Sequence, residues 1–269
     1  MHFIDSHAHL TDPAFDTDRD DLLTRILPGA HIIKSIEIGC TPHEWEQTLA
    51  LTERYPQLVA PVLGVHPEYA HRLTPDKLVT LRNLLQDPCV CAVGEIGLDE
   101  TCLEEADSNI QHEVFSAMIG CANECGKPLV LHVRRQAENF AVYDDCFTLL
   151  DQEWKPASAR PYAGVLHCFC ASYEQAKQAL DRGLLLGING CFTYKKNEYI
   201  REAVKKAGAD KIILETDCPY LSPQGKRGTR NDPSNIPLIA QFVADYLQLP
   251  PEELAEKTVQ QTKLLYGLP

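Results

Sequence analysis

At 269 residues, with 44% hydrophobic and 23% charged side chains, the chain has the make-up of a globular protein long enough to bury one large core. No apolar run approaches the roughly 18 residues that span a membrane. With 38 acidic and 25 basic residues, a net charge of −13 argues against a broad basic surface for gripping nucleic acid non-specifically.

The predicted elements alternate in chain order between short apolar runs and longer amphipathic segments. The first run, 2–6, leads into Asp5-Ser6-His7-Ala8-His9, and the opening residues carry no basic segment ahead of an apolar stretch, so a cytoplasmic location is expected. Runs at 32–39 and 58–65 follow, the latter ending in Gly64-Val65-His66-Pro67. Pro75 suits the first turn of a helix carrying Leu78, Leu81, Leu84 and Leu85 at three- and four-residue spacing. The fourth run, 89–96, ends in Gly94-Glu95-Ile96-Gly97-Leu98-Asp99. A helix containing Phe115, Met118, Ile119 and Ala122 stops at Gly126. Runs 128–133 and 163–168 end at His132, with Arg134 just beyond, and at His167. Gly183 precedes run 184–190, and run 211–216 ends at Asp217. Segment 251–266 reads as a last outer helix begun by Pro251.

Near-continuous apolar runs of this length suit parallel strands covered by helices. Eight such units favour closure, so the fold class expected is a single (β/α)8 TIM barrel over residues 1–269. An open doubly wound sheet would usually carry Gly-x-Gly-x-x-Gly after its first strand, where this chain has the His-x-His segment. The eleven cysteines are odd in number and contain no Cys-x-x-Cys pair, and several sit in the apolar runs. They read as free buried thiols.

In such a barrel the active site lies at the C-terminal ends of the strands. Five of the ten histidines fall there: His7, His9, His66, His132 and His167. His7 and His9, two apart on a strand, share a face and can grip one metal. Glu95 ends so apolar a strand that burying it requires a cationic partner, which bridging two metals would supply. His132 and His167 close the fifth and sixth runs, each being as consistent alone with a satisfied core histidine. Asp217 would bind one metal and orient or deprotonate the attacking water, with Glu215, deeper in the barrel, as the weaker competitor. Four histidines and two carboxylates suit two divalent ions (Zn, Mn, Mg or Co), with Mg preferring more oxygen. Such ions can lower the pKa of a water to about 7. His66 and Arg134 are the substrate-binding candidates, Arg134 by holding a phosphate or carboxylate bidentately. The basic group Lys226, Arg227 and Arg230 lies on the same rim.

With those motifs in that order, and with Glu215-Thr216-Asp217-Cys218-Pro219-Tyr220-Leu221 and Arg230-Asn231-Asp232-Pro233 after them, the chain resembles the TatD family of metal-dependent deoxyribonucleases. These belong among the amidohydrolase-like barrels. The resemblance runs nearly end to end. It implies metal roles for His7, His9, Glu95, His132, His167 and Asp217, and phosphodiester hydrolysis, often as a 3′ exonuclease on DNA. Two departures stand out. The family usually has aromatic residues after Gly-Leu-Asp, where this chain has Glu100-Thr101-Cys102, with Glu104, Glu105 and Asp107 nearby. Gln261 stands where the family commonly has Asn, a difference expected to affect packing.

Three functions are therefore weighed: a phosphodiesterase acting on DNA, a related hydrolase of a small phosphoester, ester or amide, and a non-catalytic metal-binding scaffold. The first is favoured, with no membrane or obligate protein partner, and with mixed charge on the outer helices pointing to a monomer.

Overall fold

The computed structural model describes residues 1–136 and 139–269. Eight parallel strands follow one another in sequence order: β1 Phe3–Ala8, β2 Ile32–Gly39, β3 Val59–Leu63, β4 Ala92–Asp99, β5 Leu129–Arg134, β6 Gly164–Leu166, β7 Leu184–Ile188 and β8 Ile212–Leu214. Each pairs with the next. The last meets the first just beyond its end, where Ala8 bridges Cys218, His9 N donates to Cys218 O at 2.9 Å and Asp217 N donates to His7 O at 2.9 Å. Buried Asp5 adds a side-chain staple to this seam, accepting from the backbone N–H and the hydroxyl of Thr216. The eight runs read from the sequence correspond to these strands. The main differences are that β1 and β4 extend further, β4 reaching Asp99.

Helices return the chain from each strand to the next. They are α1 (19–29), α2 Pro42–Arg54, α3 Pro75–Leu84, α4 Ser108–Cys125, α5 Ala141–Glu153, α6 Tyr173–Asp181, α7 Glu198–Ala207, α8 Ile236–Leu247 and α9 Pro251–Tyr266. Their starts follow from local chemistry. Thr41, Thr74, Asp107 and Ser172 each accept a backbone N–H of the first turn, a contact worth about 1 kcal/mol. Pro42, Pro75 and Pro251 take first-turn positions that need no N–H donor. Asp107, one of the acidic residues noted after Asp99, is thus occupied as a cap. Gly126 ends α4 in the left-handed conformation (φ 64°).

Two apolar layers hold the barrel. The larger joins helix residues such as Phe115, Phe147 and Val243 to the outward faces of the strands. The smaller is made almost wholly of strand residues, among them Ile36, Ile38, Val62, Val130, Val165, Leu185 and Ile213, and so fills the barrel interior. Tyr266 of α9 packs against it and donates its hydroxyl to Ser6 O at 3.1 Å. Gln261, also on α9, donates to Asp210 O at 3.1 Å. All eleven cysteines are free thiols.

Candidate metal centre

Polar side chains concentrate at the C-terminal ends of the strands, above the apolar interior. Glu95 of β4 lies at their centre, 3% exposed. Its two oxygens face two different groups. Oε2 is 3.2 Å from His7 Nε2 and 3.9 Å from His9 Nε2. Oε1 is 2.6 Å from His132 Nδ1 and 3.3 Å from His167 Nε2. Asp217 joins the first group, its Oδ1 3.3 Å from His9 Nε2 and 3.7 Å from His7 Nε2. The structure therefore brings all six residues singled out from the sequence into one cluster.

Gly97 makes part of this approach possible. It takes φ 143°, and a Cβ there would collide with the carbonyl oxygen of His132. Only glycine lets β4 and β5 come this close, and so brings Glu95 within reach of His132. A shift in the β4–β5 register between Gly94 and Ile96 marks the same locality.

The charges facing Glu95 come from imidazoles. Burial alone would raise its pKa, but His167, His7, His66 and His132 together hold it well below the usual carboxylate range. Asp217 is likewise held down against burial by His9, His167 and His7. Burial would lower His9 and His132, yet Asp217 and Glu95 raise the first to about 9, while Asp99 and Glu95 raise the second to about 9. Without metal, the cluster thus balances buried carboxylates with imidazolium protons on His9, His132 and His167, while burial pushes His7 and His66 down.

Divalent ions would do the same work, and the donors fit them. His7 Nε2 and His9 Nε2 point at one another across 3.3 Å, so both lone pairs can face one cation only when neither nitrogen carries a proton. His7, His9 and Glu95 place donor atoms within 4.8 Å of one another, as do Glu95, His132 and His167. Mixed nitrogen and oxygen ligation of this kind suits borderline divalent metals.

Further carboxylates stand behind the second group. Asp99 Oδ2 is 3.0 Å from His132 Nε2, while its Oδ1 accepts from the N–H and hydroxyl of Thr101. Glu215 Oε1 is 3.1 Å from His167 Nδ1 and accepts from Cys168 N and Asn189 Nδ2. The sequence reading missed Asp99 as a site residue and set Glu215 aside. Asp99 lies four residues after Glu95 on one strand, a same-face spacing that could have found it. Cys168, adjacent to His167, brings its sulfur within 4.8 Å of donors on His167 and Asp217, which no motif had indicated.

His66 also faces the cluster, its Nε2 3.8 Å from Glu95 Oε1 and its ring T-shaped to His132 at 4.4 Å. Arg134 stands exposed at the end of β5. The basic rim group is largely engaged elsewhere. Arg230 pairs bidentately with Asp18, Lys226 donates to Asn235 Oδ1, and the Arg227 guanidinium lies 4.7 Å over the Tyr194 ring.

The family model described as TatD related DNase matches residues 4–267. The chain belongs to that family. Among TatD relatives, it is 32% identical over 271 residues to a 3′-5′ ssDNA/RNA exonuclease TatD of Erwinia amylovora, covering 98% of this chain and 99% of that protein. It is 30% identical over 264 residues to the metal-dependent hydrolase YabD of Bacillus subtilis, covering 98% of each. Among solved structures, the TatD homolog YjjV of Escherichia coli superposes with a TM-score of 0.89 at 27% identity, covering 99% of this chain and 98% of that one. No helix among the described residues is long and apolar enough to cross a membrane.

Proposed function

We propose that the chain is a divalent-metal-dependent phosphodiesterase that removes nucleotides from the 3′ end of single-stranded DNA or RNA. One observation carries the reading: Glu95 turns one oxygen to His7 and His9 and the other to His132 and His167, the arrangement of a carboxylate shared by two cations. The TatD relative named as a 3′-5′ ssDNA/RNA exonuclease supplies the substrate class.

On this reading His7, His9, Glu95 and Asp217 hold one ion, and Glu95, His132 and His167 hold the other. Divalent ions held there would supply Lewis acidity, polarising a phosphoryl oxygen and lowering the pKa of a water to near 7. Asp217 is the carboxylate of the cluster that reaches solvent, its side chain 15% exposed against 4% for Glu95. It is placed to orient the attacking water and accept its proton. Asp99 and Glu215 fix the rings of His132 and His167 and raise their basicity. His66 faces the substrate side of the cluster, and Arg134 on the rim takes a neighbouring phosphate. Residues 1–269 act as one catalytic domain, a monomer working in the cytoplasm.

The test is hydrolysis of 3′-labelled single-stranded DNA by protein reconstituted in parallel with Mg, Mn, Zn and Co, with Glu95→Ala as the contamination control. Nucleotide release by the wild type alone is expected. With two metals bound and no release, the substrate would instead be a small phosphoester, ester or amide.

A further inference from the structure

The aromatic residues usual after Gly-Leu-Asp are absent here, and Glu100 from that segment accepts the backbone N–H of Gln136 at 2.9 Å. Aromatic surface enters the site from two other loops. Tyr220, three residues beyond Asp217, is 56% exposed. Its ring sits edge-on to His9 with centroids 6.3 Å apart, and its hydroxyl donates to Asp12 Oδ2 at 3.3 Å. Tyr69, on the segment Pro67–Arg72 that follows β3, is half-buried and tilts against His66 at 6.1 Å, with the Arg72 guanidinium 4.7 Å over its ring.

A single exposed aromatic needs no explanation on a protein surface. Two that each flank an imidazole of one polar cluster, from loops distant in sequence, are a different matter. Tyr220 borders the His9 and Asp217 side, and Tyr69 borders the His66 side. A phosphodiester seated over Glu95 would therefore present its attached base between them. Every nucleobase has a π-face, so such a clamp accepts any sequence but requires a base already out of a duplex stack.

Building on the exonuclease reading, we propose that Tyr220, with Tyr69 opposite, forms a stacking clamp for the unpaired 3′-terminal nucleobase of the substrate. The clamp makes the base, and not the phosphodiester alone, the feature by which substrate is recognised. It also accounts for a nucleic-acid substrate at the mouth of an acidic protein.

The experiment compares wild type, Tyr220→Ala and Tyr220→Phe on oligonucleotides ending in a normal or an abasic 3′ residue. The wild type should favour the base-bearing end in kcat/KM by about five- to hundredfold, the range typical of one base stacked on an aromatic ring. Tyr220→Ala should collapse that ratio towards one, chiefly through KM, whereas Tyr220→Phe should keep it. Equal losses on both substrates, or a Phe variant as impaired as Ala, would overturn the clamp. Quenching of a 3′-terminal 2-aminopurine on binding separates this idea from the nuclease reading. Quenching by wild type that disappears in Tyr220→Ala supports the clamp even where no DNA is cut. Absence of quenching by wild type overturns it.

Discussion

The two halves of the polar cluster are held by different means. His132 stands on β5 and His167 just past the end of the adjacent β6, and each has a carboxylate behind it, Asp99 at 3.0 Å and Glu215 at 3.1 Å. His7, His9 and Asp217 straddle the seam between the first and last strands, held by backbone hydrogen bonds and by the contact of Asp5 with Thr216. Glu37 supports the same side, its carboxylate accepting from the N–H groups of Leu10 and Thr11 just after His9. One half is thus tuned through its imidazoles and the other through its backbone. The backbone-held half keeps its carboxylate nearer solvent, where the proposed assignment has a water activated.

The largest expected effect comes from removing what the halves share. Glu95→Ala should release both metals and lower activity by about ten-thousandfold or more, since it removes several kcal/mol of transition-state stabilisation. Two metals retained per chain by elemental analysis would end the bridging role. Asp217→Asn keeps an oxygen donor on the seam side but loses the base. A fall in kcat of about a hundred- to thousandfold with little change in KM is expected, and an unchanged kcat would remove Asp217 from the proton transfer. Asp99→Ala should sharpen the contrast by weakening only the second ion, by about ten- to hundredfold in affinity. Equal weakening of both ions in a metal titration would mean that the halves are not separately tuned.

The metal-free protein should also show the difference through pH. Against burial, their carboxylate partners raise His9 and His132 to about 9. Each raised group binds more protons folded than unfolded. Its contribution is therefore lost as pH rises through the folded value. Melting temperature without metal should fall between about pH 6.5 and 9, counted from the ordinary histidine pKa, and metal, by replacing those protons, should flatten the decline. A metal-free protein that gains stability across that window would contradict the proton balance. The smallest effect belongs to Arg134→Ala on the exposed rim, with KM rising about two- to fivefold at constant kcat. An unaltered KM would leave Arg134 without a substrate contact.

The sequence carried the barrel plainly because eight apolar runs recur with helices between them, and parallel strands buried on both faces leave that pattern. The six cluster residues were legible for a related reason: polar residues ending apolar runs have few places to go except the barrel's rim. Asp99 escaped because β4 runs three residues past the predicted end at 96, turning a supposed loop residue into one on the strand. Glu215 was judged too deep, since strand parity gives a direction but no reach, and its side chain extends to His167. The basic residues at 226–230 were legible as a rim group but not in their engagement, since Arg230 is committed to Asp18, 212 positions earlier in the chain.

That seam has a consequence for the order of events during synthesis. His7 and His9 leave the ribosome some two hundred residues before their partner Asp217, and the strands carrying them meet only when the barrel closes. On the proposed assignment, a chain that stops short of Asp217 cannot assemble the seam-side metal group, because its ligands are parted until β8 and the residues just after it have been made. On that assignment, a fragment released before Asp217 would lack the carboxylate that activates water, and hydrolysis would stay silent until the seam had closed.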